Sequence, residues 1–155
     1  MDHECGKPEP DLSDRGVPDR GPRCEPDSMP GAGGIRVVLA DDDPGFLEAL
    51  AAAMEADGRF EVVGLAGNGA EAFQLGCWQE PDVVVMDIEM PVIDGLKAAE
   101  LLRQSRPRAC VLMVSGADEV IAHSASAEVG AAFVSKADFD EIPETVARLS
   151  LNCCR

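Results

Sequence analysis

The sequence predicts an α/β domain with a doubly wound, five-stranded parallel sheet, and two features of the chain indicate it. From residue 35 onward, short apolar runs alternate five times with longer segments of helical periodicity, which is the pattern of repeated strand–helix units. The first, third and fourth runs are apolar almost throughout, as expected of strands buried on both faces of a parallel sheet.

The predicted strands are IRVVLA (35–40), FEVVGLA (60–66), DVVVMD (82–87), ACVLMVS (109–115) and AAFVSK (131–136). A predicted helix follows each strand, namely PGFLEALAAAMEADG (44–58), GAEAFQLGCWQE (69–80), GLKAAELLRQS (95–105), DEVIAHSASAEVG (118–130) and FDEIPETVARLSL (139–151). In the first helix, Phe46, Leu47, Leu50 and Met54 recur at helical spacing, and Gly58 follows as a stop signal.

The two ends of the chain differ from this domain. Residues 1–34 contain six prolines and six glycines with few large apolar side chains, so they cannot bury enough surface to offset their chain entropy. We therefore predict a disordered tail over residues 1–34, one domain over residues 35–151 and a short C-terminal end at 152–155.

The composition argues against several function classes. With 29 acidic and 13 basic side chains the formal net charge is −16, which disfavours contact with nucleic acid or with an anionic membrane. No apolar stretch approaches the roughly 18 residues of a transmembrane helix, and the N-terminus lacks the apolar core of a secretory signal. We expect a cytoplasmic protein that binds cations or other proteins.

Six cysteines lie at positions 5, 24, 77, 110, 153 and 154, and none forms a CxxC pair. With only two histidines in the chain, the spacing of a zinc site is absent. Cys77 and Cys110 lie in apolar segments, so we expect them to be buried, reduced thiols. The adjacent Cys153 and Cys154 could oxidise.

Polar side chains occupy the C-terminal ends of the predicted strands, where sites form in open α/β sheets. Asp41 and Asp42 follow the first strand, while Asp87, Ser115 and Lys136 end the third, fourth and fifth. Clustered carboxylates favour a hard divalent cation such as Mg²⁺. A carboxylate beside a metal, a lysine and a hydroxyl has the parts of an aspartyl-phosphate site.

Asp43 has a different predicted role from the two aspartates before it. It precedes Pro44, and an aspartate followed by proline is typical of an N-cap and the first helical position. The triplet therefore divides into two carboxylates that face a metal and one that starts the first helix.

Four segments, VVLADDD, DVVVMDIEMPVIDGL, VLMVSGAD and GAAFVSKAD, resemble the CheY-like receiver domain of two-component response regulators. The resemblance covers residues 35–151 and implies the flavodoxin-like strand order 2-1-3-4-5. The segments AGNGAEAF and VSKAD look most like receivers that precede LuxR-type helix-turn-helix outputs, which implies a part in transcription regulation.

The resemblance implies a role for each residue at the strand ends. Asp87 would accept a phosphoryl group from a histidine kinase. Asp42 would bind Mg²⁺ directly, together with Asp87 and the backbone carbonyl of Glu89, and Asp41 would act through water. Lys136 would pair with the phosphoryl oxygens.

The resemblance also implies a switch and a set of partners. Ser115 would donate its hydroxyl to the phosphoryl group and shift, and the ring of Phe133 would couple to that shift. The output face would be helix 4, strand 5 and helix 5, with a downstream protein or a second copy as its partner. No direct nucleic-acid contact by this chain is implied, and no enzymatic activity beyond its own phosphotransfer and autodephosphorylation.

Three alternatives remain open. Gly67–Ala72 reads GNGAEA, and Asp87 lies 20 residues on, as in a dinucleotide-binding unit. A metal-dependent phosphatase would use Asp87 as its nucleophile, although Glu89 stands where such enzymes need a second aspartate. A degenerate receiver would be a phosphorylation-independent binding module. The long tail that begins at Met1 slightly favours a stand-alone receiver over a fragment of a longer regulator.

Overall fold

The structure is a computed structural model that describes residues 34–116 and 118–152. Its strands are β1 (Ile35–Ala40), β2 (Phe60–Ala66), β3 (Val83–Asp87), β4 (Cys110–Ser115) and β5 (Ala132–Ser135). They form one parallel sheet in the order β2-β1-β3-β4-β5, which confirms the predicted fold class and strand order. The predicted tail lies outside the described residues except for Gly34.

Helices α1 (Pro44–Asp57), α2 (Gly69–Gln79), α3 (Gly95–Ser105) and α4 (Glu119–Glu128) agree with the predicted helices to within two residues at either end. A fifth helix, α5, spans Ile142–Asn152. The first four begin at side-chain N-caps, which are Asp43, Asn68, Asp94 and Asp118. Within the described ranges, no helix is long and apolar enough to cross a membrane.

The segment between β5 and α5 differs from the prediction. Lys136–Glu141 form a 3₁₀ helix, whereas the sequence predicts Lys136 as the end of a strand and residue 139 as the start of a helix. Asp138 has a non-helical φ of −103° and ψ of 49°, and this kink delays α5 until Ile142. Pro143 then lies in the first turn of α5, where a missing N–H costs nothing.

Helices cover both faces of the sheet and bury an apolar cluster on each. On the face covered by α1 and α5, Leu39 packs with Leu50 and Ile142. On the face covered by α2 and α3, Met86 packs with Leu102. We call the C-terminal ends of the strands, with the residues that follow them, the rim, and the N-terminal ends the base.

At the base, Arg36 connects β1 to the end of α2. Its Nη2 donates to the carbonyl oxygen of Gln79 at 2.6 Å, and its backbone N–H donates to Asp82 Oδ2 at 2.9 Å. A cation at a helix C-terminus satisfies a carbonyl without an intrahelical partner and complements the helix dipole. Arg36 therefore stabilises both the strand start and the helix end.

Arg106, just after α3, makes a second contact of this kind at the base. Its Nη2 donates to the carbonyl oxygen of Cys77 at 2.9 Å and to Glu80 Oε2 at 2.6 Å. Trp78, the only tryptophan of the chain, lies on the same last turn of α2 with 42% of its surface exposed. The end of α2 is thus held by two guanidinium groups.

The burial predicted for Cys77 and Cys110 is confirmed, but the predicted reduced state is wrong. Both residues are buried and both are disulfide-bonded. Cys110 belongs to the cluster under α1 and α5, and Cys77 belongs to the cluster on the opposite face of the sheet. An apolar segment predicts that a cysteine is buried, but it does not determine the oxidation state of the sulfur.

Candidate functional site

Three carboxylates converge at the rim from two neighbouring strands. Asp41 and Asp42 follow β1, and Asp87 ends β3. One oxygen of each carboxylate lies within 4.8 Å of the others. Asp41 and Asp87 are buried whereas Asp42 is exposed, so the cluster opens to solvent on one side. An all-oxygen set of this kind fits a hard divalent cation that keeps part of its water shell.

The backbone after β1 holds the three consecutive aspartates in different directions. Asp41 Oδ1 accepts the backbone N–H of Asp43 at 2.8 Å, which fixes the buried carboxylate. Asp43 Oδ1 in turn accepts the N–H of Gly45 at 3.0 Å, as an N-cap does. The structure thus confirms that Asp43 is the N-cap of α1, and the metal-facing role of Asp41 and Asp42 stays a prediction.

Lys136 brings the positive charge of the site. Its Nζ lies 2.7 Å from Asp41 Oδ2 and 3.3 Å from Asp87 Oδ2, and 4.4 Å from the centre of the Phe46 ring. Burial alone would lower the pKa of Lys136, but the two carboxylates outweigh it and raise that pKa. The ammonium is therefore held protonated against both buried acids.

The pKa of Asp87 is raised by its surroundings at the rim. Burial, followed by repulsion from Asp41, raises its pKa from 3.8 to about 6, although Lys136 and the N–H of Glu89 act in the opposite direction. One lysine thus offsets only part of the repulsion between the carboxylates. Further positive charge would stabilise the ionised form of Asp87.

The loop after β3 is fixed by close contacts and contains a strained residue. A Cβ on Gly95 would overlap the carbonyl oxygen of Asp87, so only glycine lets α3 start this near to the carboxylate. Val92 has φ +71°, and the N–H of Ile93 donates to the carbonyl oxygen of Pro91 at 2.8 Å. These values describe a γ-turn of positive φ, which is unfavourable for a β-branched residue.

The remaining predicted residues lie at or near the same rim. Ser115 is buried at the end of β4, the strand next to β3, and the N–H of Glu89 donates to Asp87 Oδ1 at 3.3 Å. Phe133 lies in β5 and is half-buried. The structure joins Asp41, Asp42, Asp87 and Lys136 in one cluster, and the roles of all seven residues stay predictions.

Two aromatic contacts near the site are not visible in the sequence. Phe46 belongs to the apolar stripe of α1 in the sequence, yet its ring lies beside the ammonium of Lys136 and meets Phe139 edge-on at 5.6 Å. The ring of His123 on α4 meets Phe133 edge-on at 6.1 Å. Helical periodicity marks Phe46 as apolar but carries no information about a cation brought from another part of the chain.

The glycine motif at the start of α2 has a packing role. A Cβ on Gly69 would overlap the carbonyl oxygen of Ile93, so this glycine admits the loop after β3. Glu71 Oε1 accepts the N–H of Gly67 at 2.9 Å, and Asn68 Oδ1 accepts the N–H of Glu71 at 2.9 Å. Two of the N–H groups at this helix start, where a dinucleotide site would bind a pyrophosphate, are therefore already bonded to side chains.

A family comparison agrees with the arrangement at the rim. Residues 37–147 match the model of the response regulator receiver domain. The chain belongs to this family. Receivers bind Mg²⁺ at an acidic pocket, and the cluster of Asp41, Asp42 and Asp87 has the donor atoms of such a pocket.

The relatives of this receiver include transcriptional regulators. The chain is 40% identical over 118 residues to the transcriptional regulatory protein MctR of Rhizobium johnstonii, covering 73% of this chain and 55% of that protein. It therefore spans about half the length of this curated relative.

Solved structures show the same receiver fold. The signal receiver domain of NarL from Mycobacterium tuberculosis has a TM-score of 0.72 and 34% identity, covering 76% of this chain and 96% of that one. A LuxR-family response regulator from Aurantimonas sp. SI85-9A1 has a TM-score of 0.71 and 29% identity, covering 77% and 86%. These similarities confirm the resemblance to receivers of LuxR-type regulators.

Proposed function

We propose that this receiver accepts a phosphoryl group on Asp87 from a histidine kinase in a Mg²⁺-dependent reaction, and that phosphorylation switches a surface for protein partners. The observation that carries the proposal is the crowding at the rim. Asp87 is buried, its pKa is raised to about 6, and its carboxylate lies within 4.8 Å of two others with one lysine to offset them.

The chemistry needs an ionised, accessible carboxylate. At neutral pH a group with a pKa of about 6 is mostly ionised, so an oxygen of Asp87 attacks the phosphorus atom. A new O–P bond forms while the P–N bond to the donor histidine breaks, and the histidine nitrogen keeps that electron pair. Lys136, 3.3 Å from Asp87, offsets negative charge on the transferred group.

Mg²⁺, when bound, would neutralise charge on the phosphoryl oxygens. Asp42 and Asp87 would hold it with the backbone carbonyl of Glu89, and Asp41 would act through water. Asp41 is bonded to Lys136 and to the N–H of Asp43, which supports an indirect role. Asp42 is the exposed carboxylate of the three, which supports direct access to an ion.

The switch would act through Ser115 and Phe133. Ser115 ends β4, and its donation to the phosphoryl group would draw it towards Asp87. Phe133 lies in β5 next to β4 and contacts His123 of α4, so a move of its ring would reach α4. Among the described residues, Val120, Ile121 and Leu151 on α4 and α5 are large apolar side chains at least 68% exposed.

The direct test is intact-mass measurement with Mg²⁺ and acetyl phosphate, a small phosphodonor. Wild type should gain one phosphoryl group, and Asp87→Asn should gain none. A stoichiometric gain on Asp87 without turnover of a phosphate ester indicates a signalling domain, which is what we propose, and steady turnover of a phosphate ester indicates a phosphatase. No gain in wild type would overturn the proposal and favour a phosphorylation-independent binding module.

The proposed output face has its own test. Phosphodonor should increase self-association or binding of a downstream protein in wild type, and Asp87→Asn should not respond. Replacing Val120 and Ile121 by serine should reduce that response. The matched control is Leu65→Ser, at an exposed leucine on β2 far from α4 in the sheet order. Equal association of wild type and Asp87→Asn with phosphodonor would contradict the proposed switch.

A further inference from the structure

We propose that Phe46 is a positioning residue for Lys136, with a ring that holds the lysine ammonium against the buried carboxylates and thereby speeds phosphoryl transfer to Asp87. Lys136 Nζ lies 4.4 Å from the centre of the Phe46 ring. A cation within about 6 Å of an aromatic ring centre is attracted by the negative face of the ring. The effect on transfer rests on the function proposed for Asp87, whereas the contact itself does not.

The ammonium of Lys136 is held from more than one side. Its Nζ lies 2.7 Å from Asp41 Oδ2 and 3.3 Å from Asp87 Oδ2, so both acids attract it. Lysine carries a compact, strongly hydrated charge on a flexible stem, and 23% of this side chain is exposed. The ring of Phe46 occupies space beside the ammonium that water would otherwise take, and so limits its movement away from the acids.

The ring of Phe46 is itself fixed by its neighbours. Asp43 caps α1, which places Phe46 in the first turn of that helix, at the rim. The ring meets Phe139 edge-on at 5.6 Å with an interplanar angle of 90°, a favourable arrangement for two aromatic rings. Phe139 and Lys136 belong to the same 3₁₀ helix, so one short segment supplies both the ammonium and the second ring.

The position of the ammonium matters because the role proposed for Lys136 is electrostatic. During transfer the positive charge must lie close to the phosphoryl oxygens, which carry the negative charge. Displacing a positioned group by about 1 Å can lower the rate of such a reaction substantially. A lysine held by the Phe46 ring and by Asp41 is in place before the phosphoryl group arrives.

A second contact between an aromatic ring and a cation, at the base, provides a matched control. The guanidinium carbon of Arg59 lies 5.3 Å from the centre of the Phe60 ring, and Arg59 also pairs with Asp57 and Glu144. Phe60 starts β2 and belongs to the apolar cluster against which Phe46 packs. Phe60→Leu therefore removes a ring from the same cluster and from beside a cation, at the opposite end of the sheet from the acidic site.

The first test follows phosphoryl uptake over time by intact mass, with Mg²⁺ and acetyl phosphate. An oxygen of Asp87 forms the new O–P bond while the bond from phosphorus to the acetyl oxygen breaks, and acetate leaves with that electron pair. Phe46→Leu should slow uptake about fivefold, because leucine is apolar but has no negative face. Phe46→Tyr keeps the ring and should stay within about twofold of wild type, and Phe60→Leu should match wild type.

Two outcomes of this test would overturn the proposal. One is uptake by Phe46→Leu at the wild-type rate, and the other is an equal slowing in Phe60→Leu, which would indicate a general effect of losing a ring from the cluster. Thermal melting shows whether each variant is folded at the assay temperature. Phe46→Met, which is also apolar and has no ring, repeats the measurement if Phe46→Leu is unfolded.

The second test uses NMR of the metal-free protein and needs no phosphorylation. The chain has three lysines, and Lys136→Arg identifies the ε-methylene signals of Lys136. In wild type the ring current of Phe46 should shift these proton signals upfield of those of the exposed Lys97. In Phe46→Leu the shift should vanish and ¹³C relaxation should report greater motion of the Lys136 side chain, whereas Phe46→Tyr should resemble wild type.

The two tests distinguish failure of this proposal from failure of the proposed function. An unshifted Lys136 signal in wild type, or unchanged motion in Phe46→Leu, would overturn the positioning role of Phe46 whatever happens at Asp87. If wild type takes up no phosphoryl group, the function proposed for Asp87 fails, and the NMR measurements still decide whether Phe46 positions the ammonium.

Discussion

Charged side chains are compensated differently at the rim and at the base of the sheet. At the base, Arg36 and Arg106 each donate both to a carbonyl oxygen near the end of α2 and to a carboxylate. At the rim, two buried carboxylates share the single cation of Lys136, and the pKa of Asp87 rises to about 6. At the base the two guanidinium groups bind helix-end carbonyl oxygens, whereas the rim holds more carboxylates than its lysine offsets.

The difference shows which end is built for stability and which for reaction. A hydrogen bond from a cation to a helix end is favourable in the resting protein. A buried carboxylate without enough compensation is unfavourable until a metal or a phosphoryl group arrives. Substitutions at the two ends should therefore differ in the sign of their effect on stability and in their dependence on Mg²⁺.

The largest expected effect separates two neighbouring aspartates of the rim. Asp42→Ala should abolish detectable Mg²⁺ binding because it removes the exposed carboxylate of the cluster. Asp43→Ala should keep Mg²⁺ affinity and lower the free energy of unfolding by about 1 kcal/mol, because it removes an N-cap. Isothermal titration with Mg²⁺ and urea unfolding measure the two quantities. Equal loss of metal in both variants would contradict the division of the triplet.

The next effect is a gain in stability from removing a charge at the rim. In metal-free buffer at pH 7, Asp87→Asn should raise the free energy of unfolding by up to about 3 kcal/mol. The pKa of Asp87 is raised in the folded state, so the wild type loses stability as the pH rises from about 4 to above 6. The gain should therefore disappear below pH 4, as urea unfolding across this pH range would reveal.

The matched control for Asp87 lies at the base. Asp82→Asn weakens the acceptor of the Arg36 backbone N–H and should lower the free energy of unfolding by about 1 kcal/mol. At pH 7 the two Asp→Asn substitutions should change the free energy of unfolding in opposite directions, which is the most direct test of the difference between the rim and the base. A loss of stability in both would show that repulsion at the rim is already compensated.

A smaller effect should come from the base and should not depend on Mg²⁺. Arg106→Met removes the hydrogen bonds to the carbonyl of Cys77 and to Glu80, and should cost about 2 kcal/mol. The control is Arg108→Met under reducing conditions, since Arg108 is exposed and, in the described part of the chain, has no ion pair. That change should stay within about 0.5 kcal/mol. If the loss of stability in Arg106→Met depended on Mg²⁺, the base would not be independent of the rim.

The smallest expected effect is relief of strain in the loop after β3. Val92→Gly should raise the free energy of unfolding by about 1 kcal/mol or less, because glycine accepts φ +71° without a clash while its unfolded chain has more freedom. Val120→Gly, in the first turn of α4, should instead be destabilising. Thermal melts of both variants test the sign, and destabilisation by Val92→Gly would mean that the turn is not strained.

Much of the fold could be predicted because its signals are local. β1 and β2 have the predicted bounds, since runs of apolar residues between turn signals mark buried strands. Asp43 could be recognised as an N-cap from Pro44 alone. The start of α5 could not, because the kink at Asp138 interrupts a segment whose composition favours a helix throughout.

The sequence predicts which residues form the site better than it predicts the contacts between them. The order of strands brings Asp87 and Lys136 together although 49 residues separate them, and the resemblance to receivers supplied that order. The contact of Phe46 with Lys136 and the disulfide state of Cys110 depend on neighbours that no local pattern identifies.

The position of Trp78 makes the two ends separately observable. The chain has one tryptophan and no tyrosine, so its tryptophan fluorescence reports on a single indole. Trp78 lies on the last turn of α2, and the residues before and after it, Cys77 and Gln79, have the carbonyls that accept from Arg106 and Arg36. Emission from the unlabelled protein will therefore follow opening of the base, while metal titrations at the rim leave it unchanged.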